Sequence, residues 1–304
     1  MSFLEDKQVT MKEAIKRFVY DGCSITISGM PSRSPMAAVY EIIRQKKRNL
    51  TLVTDGAVDP GDLLVGAGCI KKFEGSYIWV GVVGIGYNIR RAREKSIPNY
   101  LEIEAYSNYT AGLRFFAGAM NIPFFPTKSL LGSDIPRYNP KIKIIEDPYG
   151  SGPIALVPAS TPDVAIIHAQ RVDKRGNVQI WGMICNDDNK ARAAKHTIIT
   201  CEEIIPEREI RKIPNMTIIP EYCVDAIVKV PYGAHPTSTF GYYWMDIPFR
   251  RNYMTYNKTY EGFLKWLDEW VYSCEDHTEY CRKVGWERLE ALSRIEREHV
   301  QLPL

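Results

Sequence analysis

The sequence lacks most features that would announce a function. Its net charge is only +3, from 39 Lys and Arg against 36 Asp and Glu. It has no long Lys/Arg stripe, so it offers no electrostatic case for nucleic acid. The nearest run, "RQKKR" from Arg44 to Arg48, directly follows a helix-like segment, where cations complement the helix dipole. The longest apolar stretch, Tyr77 to Tyr87, is far short of the ~20 residues that span a bilayer. The opening "MSFLEDKQVTMKEA" has no apolar core ahead of a small-residue cleavage site. These absences lead us to expect a cytoplasmic protein with no membrane partner. Seven cysteines (Cys23, Cys69, Cys185, Cys201, Cys223, Cys274 and Cys281) are scattered and never spaced C-x-x-C. An odd, unspaced set suggests neither a disulfide framework nor a zinc site, so buried reduced thiols and no metal are expected.

Familiar motifs are missing too. There is no phosphate-cradling GxxxxGK[ST], no G-x-S-x-G and no H-E-x-x-H. Gly81, Gly84 and Gly86 run in the wrong order for a dinucleotide fingerprint, and Gly66-Ala67-Gly68 lacks the third glycine. The five histidines do not cluster, and His168, inside an apolar strand, reads as a satisfied core residue.

What is present is globular: 304 residues, 45% hydrophobic and 25% charged. Strand and helix signals alternate. Thr10-Met11-Lys12-Glu13 is a capping box ahead of Ala14, Ile15, Phe18 and Val19 at helical spacing. "CSITISG" is a strand, "MPSRSP" a loop, and Pro35 opens a helix through "MAAVYEIIRQ". "NLTLVTDG", "KKFEGSYIWVG" and "YLEIEAY" are further strands, and Ser107 to Ala119 a further helix. This order predicts an α/β fold, an open and mainly parallel sheet with helices on both faces. After Pro148 the texture changes. Val164 to Ala169 and Val178 to Trp181 flank a polar turn at Lys174 to Asn177 and read as a hairpin. "DNKARAAKH" is helical, and "TIITCEEII" and "CVDAIVKVP" are strands. We expect one domain over 1–304, with a lobe junction near 148 and a helical tail from about 258. Trp266, Trp270 and Trp286 of that tail suit either an interface or the core.

Open parallel sheets bind ligands outside the carboxyl ends of their strands. Glu104, at the end of "YLEIEAY", lies there, as do the loops Gly29 to Pro35 and Thr54 to Gly61. Glu102 shares its strand face, because side chains repeat every two residues. Ser107 and Asn108 follow, and either bind a ligand or cap the next helix. Gly132-Ser133-Asp134 reads as a turn.

Several segments together resemble the alpha (A-type) chain of family I CoA-transferases, most of all the glutaconate CoA-transferase type. They are "NIPFFPTKSLLGSD", "PDVAIIHAQRVDKRGNVQIWG", "AAKHTIITCEEII" with "REIRKIP", and "CVDAIVKVPYGAHP". Each is weak alone, but they occur in order over about 200 residues. The resemblance implies a NagB/RpiA-like CoA-transferase fold, a homologous beta (B-type) partner in an A2B2 or larger assembly, and a CoA thioester as substrate with no bound cofactor. It implies a ping-pong reaction: a glutamate carboxylate attacks an acyl-CoA thioester, CoA thiolate returns to give a glutamyl-CoA thioester, and a second carboxylic acid collects the CoA.

In the heteromeric transferases that glutamate belongs to the B-type partner. This chain has "VTDGAVDPG" at the comparable place, with Asp55 and Asp59 but no glutamate. The A-type chain is therefore expected to form one wall of a shared site. Gly29 and Arg33 would face CoA or the acyl carboxylate, since Arg favours bidentate contact with carboxylate or phosphate; a solvated loop residue is the rival for Arg33. Ser107, Asn108, Gly132 and Ser133 are further binding candidates, and Glu104 is the catalytic candidate. The main expectation is an A-type subunit moving CoA between an acyl-CoA and a short carboxylic or dicarboxylic acid. The alternative is the related A-type subunit of CoA-thioester ring-opening hydrolases, with Glu104 as base. A third, from another class, is a non-enzymatic metabolite-binding protein.

Overall fold

The β-loop-α rhythm of the sequence becomes one large sheet in the computed structural model, which describes residues 7–29 and 32–298. The first half of the chain alternates α1 (Met11–Phe18), β1 (Ser24–Ile27), α2 (Met36–Arg44), β2 (Leu50–Thr54), α3 (Asp59–Gly66), β3 (Ile70–Gly75), α4 (Tyr87–Lys95), β4 (Glu102–Ala105) and α5 (Asn108–Ala119). An excursion follows: β5 (Phe124–Thr127), α6 (Ile135–Tyr138), β6 (Lys143–Glu146) and β7 (Pro153–Pro158). The chain then returns through β8 (Val164–Asp173), β9 (Val178–Gln179), α7 (Asp187–Ala193), β10 (His196–Ile205), α8 (Glu207–Lys212), β11 (Thr217–Ile219) and β12 (Ala226–Lys229). It closes with α9 (Ile247–Tyr256), α10 (Tyr260–Leu267), α11 (His277–Val284) and α12 (Trp286–Glu298). α1 begins at the expected capping box: Glu13 N–H donates to Thr10 Oγ1 at 3.2 Å, and Thr10 N–H donates to the Glu13 carboxylate at 2.9 Å.

Seven strands run parallel in the order β12-β10-β8-β1-β2-β3-β4. β1 lies inside the sheet, with Ile25 level with Leu52 of β2 and Val164 of β8. Beyond the end of β1, the long β8 pairs antiparallel with β9 through the predicted hairpin, and β9 with β11. Alternate residues of each strand enter different cores, as the period of two requires. Val164 and Ile166 join α2 and the tail helices on one face. Ala165, Ile167 and Ala169 join Ala191 of α7 on the other. Helices thus cover both faces of a mainly parallel sheet, as expected.

α2 is buried along its whole apolar length, from Met36 to Ile43. The tail covers it: Tyr40 lies 5.1 Å from Tyr280 and 6.4 Å from Trp266, ring centre to ring centre. Trp266 is therefore core, Trp270 packs against the core from a partly buried position, and Trp286 is exposed. The helical run starts with α9, earlier than expected, because Asp246 caps it by accepting from Phe249 N–H at 2.9 Å. His168 is buried, 2.8 Å from Thr200 Oγ1 and 2.8 Å from Glu202. Of the seven cysteines, Cys23, Cys69, Cys201, Cys274 and Cys281 are buried, and none is disulfide-bonded.

Two features were not anticipated. The excursion forms its own antiparallel sheet, β5-β7-β6, over a small core of Tyr106, Ala111, Leu130, Ile142, Ala155 and Val157. Residue 148 falls in the turn joining β6 to β7 within that sheet. Second, the strand read through "KKFEGSYIWVG" stops at Gly75. A Cβ on Gly75 would meet Thr54 O at 2.2 Å. Beyond it the chain makes only isolated bridges, Ala57 with Ile78 and Trp79 with Ile85.

Candidate active site at the carboxyl ends of the strands

The chain runs outward from β1 to β4 on one side, then from β8 to β12 on the other. The order therefore reverses between β1 and β8, and the crevice beyond their carboxyl ends is where such sheets hold ligands. The loop after β1 turns at Gly29, whose φ is +80°. A Cβ there would lie 2.2 Å from Ser32 O, so only glycine fits. A small depression lies between the ends of β1 and β2, lined by Ser28, Gly29, Thr54, Gly56 and Gly61 among others. A larger groove, about 1030 Å³, lies between α1, the end of β12 and α11, and none of these crevice loops lines it.

Arg33 is neither a solvated loop residue nor an arginine open to ligand. It is fully buried and used within the chain. Its guanidinium donates to His168 O at 2.8 Å, to the Asp187 carboxylate at 2.8 Å and to Met183 O. Asp187 is equally buried. Burial pushes the Asp187 carboxyl up, against the pull of Arg33 and Lys190. A second buried pair sits beside the first. Asp55, at the end of β2, accepts from Lys190 Nζ at 2.8 Å and from Asn186 Nδ2 at 3.0 Å. Burial favours the neutral acid, yet Lys190 and Asn186 outweigh it and hold Asp55 below the ordinary carboxylate range. For Lys190, burial works downward, but Asp55 and Asp187 raise it. The Asp55 carbonyl accepts from Ser76 Oγ and, at 2.8 Å, from Asn108 Nδ2. One residue thus ties β2 to the loop after β3 and to the starts of α5 and α7.

Glu104 lies one register step from the end of β4, directly beside Glu74 of β3. Two carboxylates side by side repel unless cations join them. Lys72 Nζ bridges them, 2.9 Å from Glu74 and 2.6 Å from Glu104. Lys141 Nζ, from the small sheet's module, does so from above at 3.6 and 2.9 Å. Arg114 completes Glu74 at 2.9 Å, and Tyr106 OH donates to Glu104 at 2.7 Å. Burial acts to raise the Glu104 carboxyl, but the bonds from Lys72, Lys141 and Tyr106 prevail and hold it at about 2.

The remaining candidates divide. Ser107 caps α5, its Oγ accepting from Thr110 N–H at 3.1 Å. Asn108 reaches the crevice through Asp55. Gly132 (φ +82°) and Ser133 form an exposed turn whose bonding is internal: Ser133 Oγ donates to Leu130 O at 2.9 Å. Glu102 points largely to solvent, 3.6 Å from Lys72. Sequence reasoning missed Lys72, Glu74, Lys141, Arg114, Asn186, Asp187 and Lys190. The one available signal was the pairing of "KKFEG" with "LEIEA" as neighbouring strands, which sets three acids and a lysine on one face.

In chemical terms, each crevice acid described here is ionised or tied to a cation of the same chain. Among the described residues no group of three or more His, Cys, Asp or Glu is placed to hold a metal. No helix of the described residues is long and apolar enough to cross a membrane.

Comparison with known proteins gives a consistent picture. Residues 8–230 match the coenzyme A transferase family model. The chain is 37% identical over 279 residues to the A-type subunit of 3-oxoadipate CoA-transferase from Pseudomonas knackmussii, covering 91% of this chain and 98% of that one. It is 38% identical to the A-type subunit of glutaconate CoA-transferase from Acidaminococcus fermentans, over 93% of each. The crystal structure of that bacterium's glutaconate CoA-transferase superposes with a TM-score of 0.87 over 94% of this chain and 95% of that one. A cholesterol ring-cleaving hydrolase IpdA subunit of Mycobacterium tuberculosis is 30% identical over 90% of this chain and 95% of its own. The chain belongs to the coenzyme A transferase family.

Proposed function

We propose that this chain is the A-type subunit of a heteromeric CoA-transferase that moves CoA between an acyl-CoA and a short carboxylic acid. The nucleophilic glutamate comes from a B-type partner. The observation that carries this reading is the state of the chain's own acids. Asp55, at the end of β2, is closed off by Lys190 and Asn186. Glu104 is closed off by Lys72, Lys141 and Tyr106. A nucleophilic carboxylate must be free to meet a thioester carbonyl, so the attacking acid has to arrive from elsewhere. The partner's carboxylate attacks the thioester carbon and CoA thiolate leaves. The thiolate then attacks the resulting anhydride, giving the enzyme thioester and the released acid. A second acid reverses these steps. This chain supplies the rigid wall: the glycine loop at Gly29, held by the buried Arg33–Asp187 pair, and the Asn108 amide at the rim.

The two relatives' names, 3-oxoadipate and glutaconate, are of dicarboxylates, which favours a dicarboxylic acyl group. The hydrolase alternative needs Glu104 as a base. A carboxylate held at about 2 has little affinity for a proton at neutral pH, which favours the transferase.

The test is to co-express the chain with a B-type subunit from the same organism and assay acyl-CoA with and without acetate, for wild type and Glu104→Ala. Acetyl-CoA formation that needs acetate, needs the partner and survives Glu104→Ala is the expected result. Acetate-independent release of CoA, abolished by Glu104→Ala, overturns it in favour of the hydrolase.

A further inference from the structure

α5 is apolar on two sides. Its inner side buries Ala111, Phe115 and Ala117, together with Thr110 and Arg114. Its outer side carries Tyr109 and Phe116, with Met120 at the C-cap, at spacings of seven and four that stack on one stripe of a 3.6-residue helix, while Leu113 between them is partly buried against the small sheet's core. Tyr109 is 61% exposed, Phe116 40% and Met120 60%. The one charged residue of α5, Arg114, is turned inward onto Glu74. The outer surface therefore has no charge at all. By contrast, α4, equally peripheral, presents Arg90, Arg93, Glu94 and Lys95. A helix that is apolar all round belongs inside a structure. Aromatics and Met without charge are the composition of an interface core. Phe125 of β5 extends the stripe, its ring 5.6 Å from that of Phe116.

We propose that this outer stripe of α5 is the surface on which the B-type partner docks. The inference rests on the heteromeric reading above. Position selects the occupant. α5 starts at the crevice, where Asn108, next to Tyr109, donates to Asp55 O at 2.8 Å. A protein seated on Tyr109 and Phe116 stands beside the carboxyl ends of β2 and β4, where a free carboxylate is needed. A second copy of this chain would bring only another set of acids tied to their own lysines.

The test compares Phe116→Asp and Met120→Asp with Tyr222→Asp, a still more exposed aromatic on a different element. Each is co-expressed with the B-type subunit, and the complex is quantified by size-exclusion chromatography and native mass spectrometry. Thermal melts of the isolated chain check folding. We expect wild type and Tyr222→Asp to form the complex. Each α5 variant should bind at least about thirty-fold more weakly, as for a central apolar anchor, with an unchanged melt. Partner binding by both α5 variants at wild-type strength overturns the inference and leaves the heteromeric reading intact. So does an isolated wild-type chain that dimerises through α5. A wild-type chain that does not bind the B-type subunit overturns the heteromeric reading, and this inference with it.

Discussion

Two ionic clusters frame the crevice, and they differ in water. The one at the switch point, Arg33–Asp187 with Lys190–Asp55, is dry: Arg33 and Asp187 are fully buried and Lys190 nearly so. The one at the sheet edge, Glu74 and Glu104 with Lys72 and Lys141, is half wet, Lys141 being 49% exposed. In the dry cluster a missing partner leaves a bare charge that nothing resolvates. In the wet one water and salt replace a lost partner at little cost. The first therefore acts as structure that fixes the loops. The second meets water mainly at Lys141, so that partner is the one whose loss costs least.

The strongest challenge to this contrast is Asp187→Ala, which strands the Arg33 guanidinium. It should lose about 3–5 kcal/mol of stability in urea unfolding. Arg33→Met combined with Asp187→Leu should regain most of it; a double variant as weak as the single one means that pairing is not what matters. Next is Lys190→Met, expected to lose about 3 kcal/mol at neutral pH. Asp55 is held low in the folded wild type, so its contribution is present above its unfolded value and disappears as pH falls through its folded one. The variant's deficit should accordingly shrink on acidification, and a pH-independent deficit would contradict the assignment. Glu104→Gln comes third. Its carboxyl sits at about 2 when folded against 4.5 ordinarily. The stability it gives is complete above about pH 4.5 and lost as pH falls towards 2. Solvent screening reduces the effect to about 1–2 kcal/mol. The measurement is unfolding between pH 7 and pH 3, where the difference from wild type should narrow. Last is Lys141→Ala, expected to change stability by less than about 1 kcal/mol, and less still in high salt. A loss as large as that of Lys190→Met would erase the distinction between dry and wet.

The sequence made much of the main sheet legible because several elements keep their own punctuation: Thr10 caps α1, Pro35 precedes α2, Gly29 and Gly56 follow β1 and β2, and Gly75 ends β3. Ser107 is an example, a Ser before an apolar run that does cap α5. The small sheet was not legible, because β5 reads "FFPT" and β7 reads "PIALVP", with prolines that suit the rim of a sheet rather than its middle. The candidate site was legible only as a location. The Gly29 loop lines the depression between the ends of β1 and β2, while Glu104 lies near the carboxyl end of the edge strand β4. Their partners did not show, since ion pairs and buried hydrogen bonds form across long separations: Arg33 meets Asp187 154 residues later, and Asp55 meets Asn186 131 later. The fate of Arg33 is a matter of burial, and local patterns say nothing of which arginine will be enclosed.

The place of β1 also has a consequence for the chain's birth. One flank of β1 pairs with β2 almost at once, but the other waits for β8. Ser24 and Asp163, which join at 2.8 Å at the head of these two strands, are 139 residues apart. At ribosomal speeds of about 5–20 residues per second, that flank stays an open apolar edge for roughly 7–28 s. An unpaired strand edge invites pairing with other chains. The time of greatest aggregation risk for this protein thus falls during synthesis and ends when β8 emerges, which makes the nascent chain a natural client for chaperones.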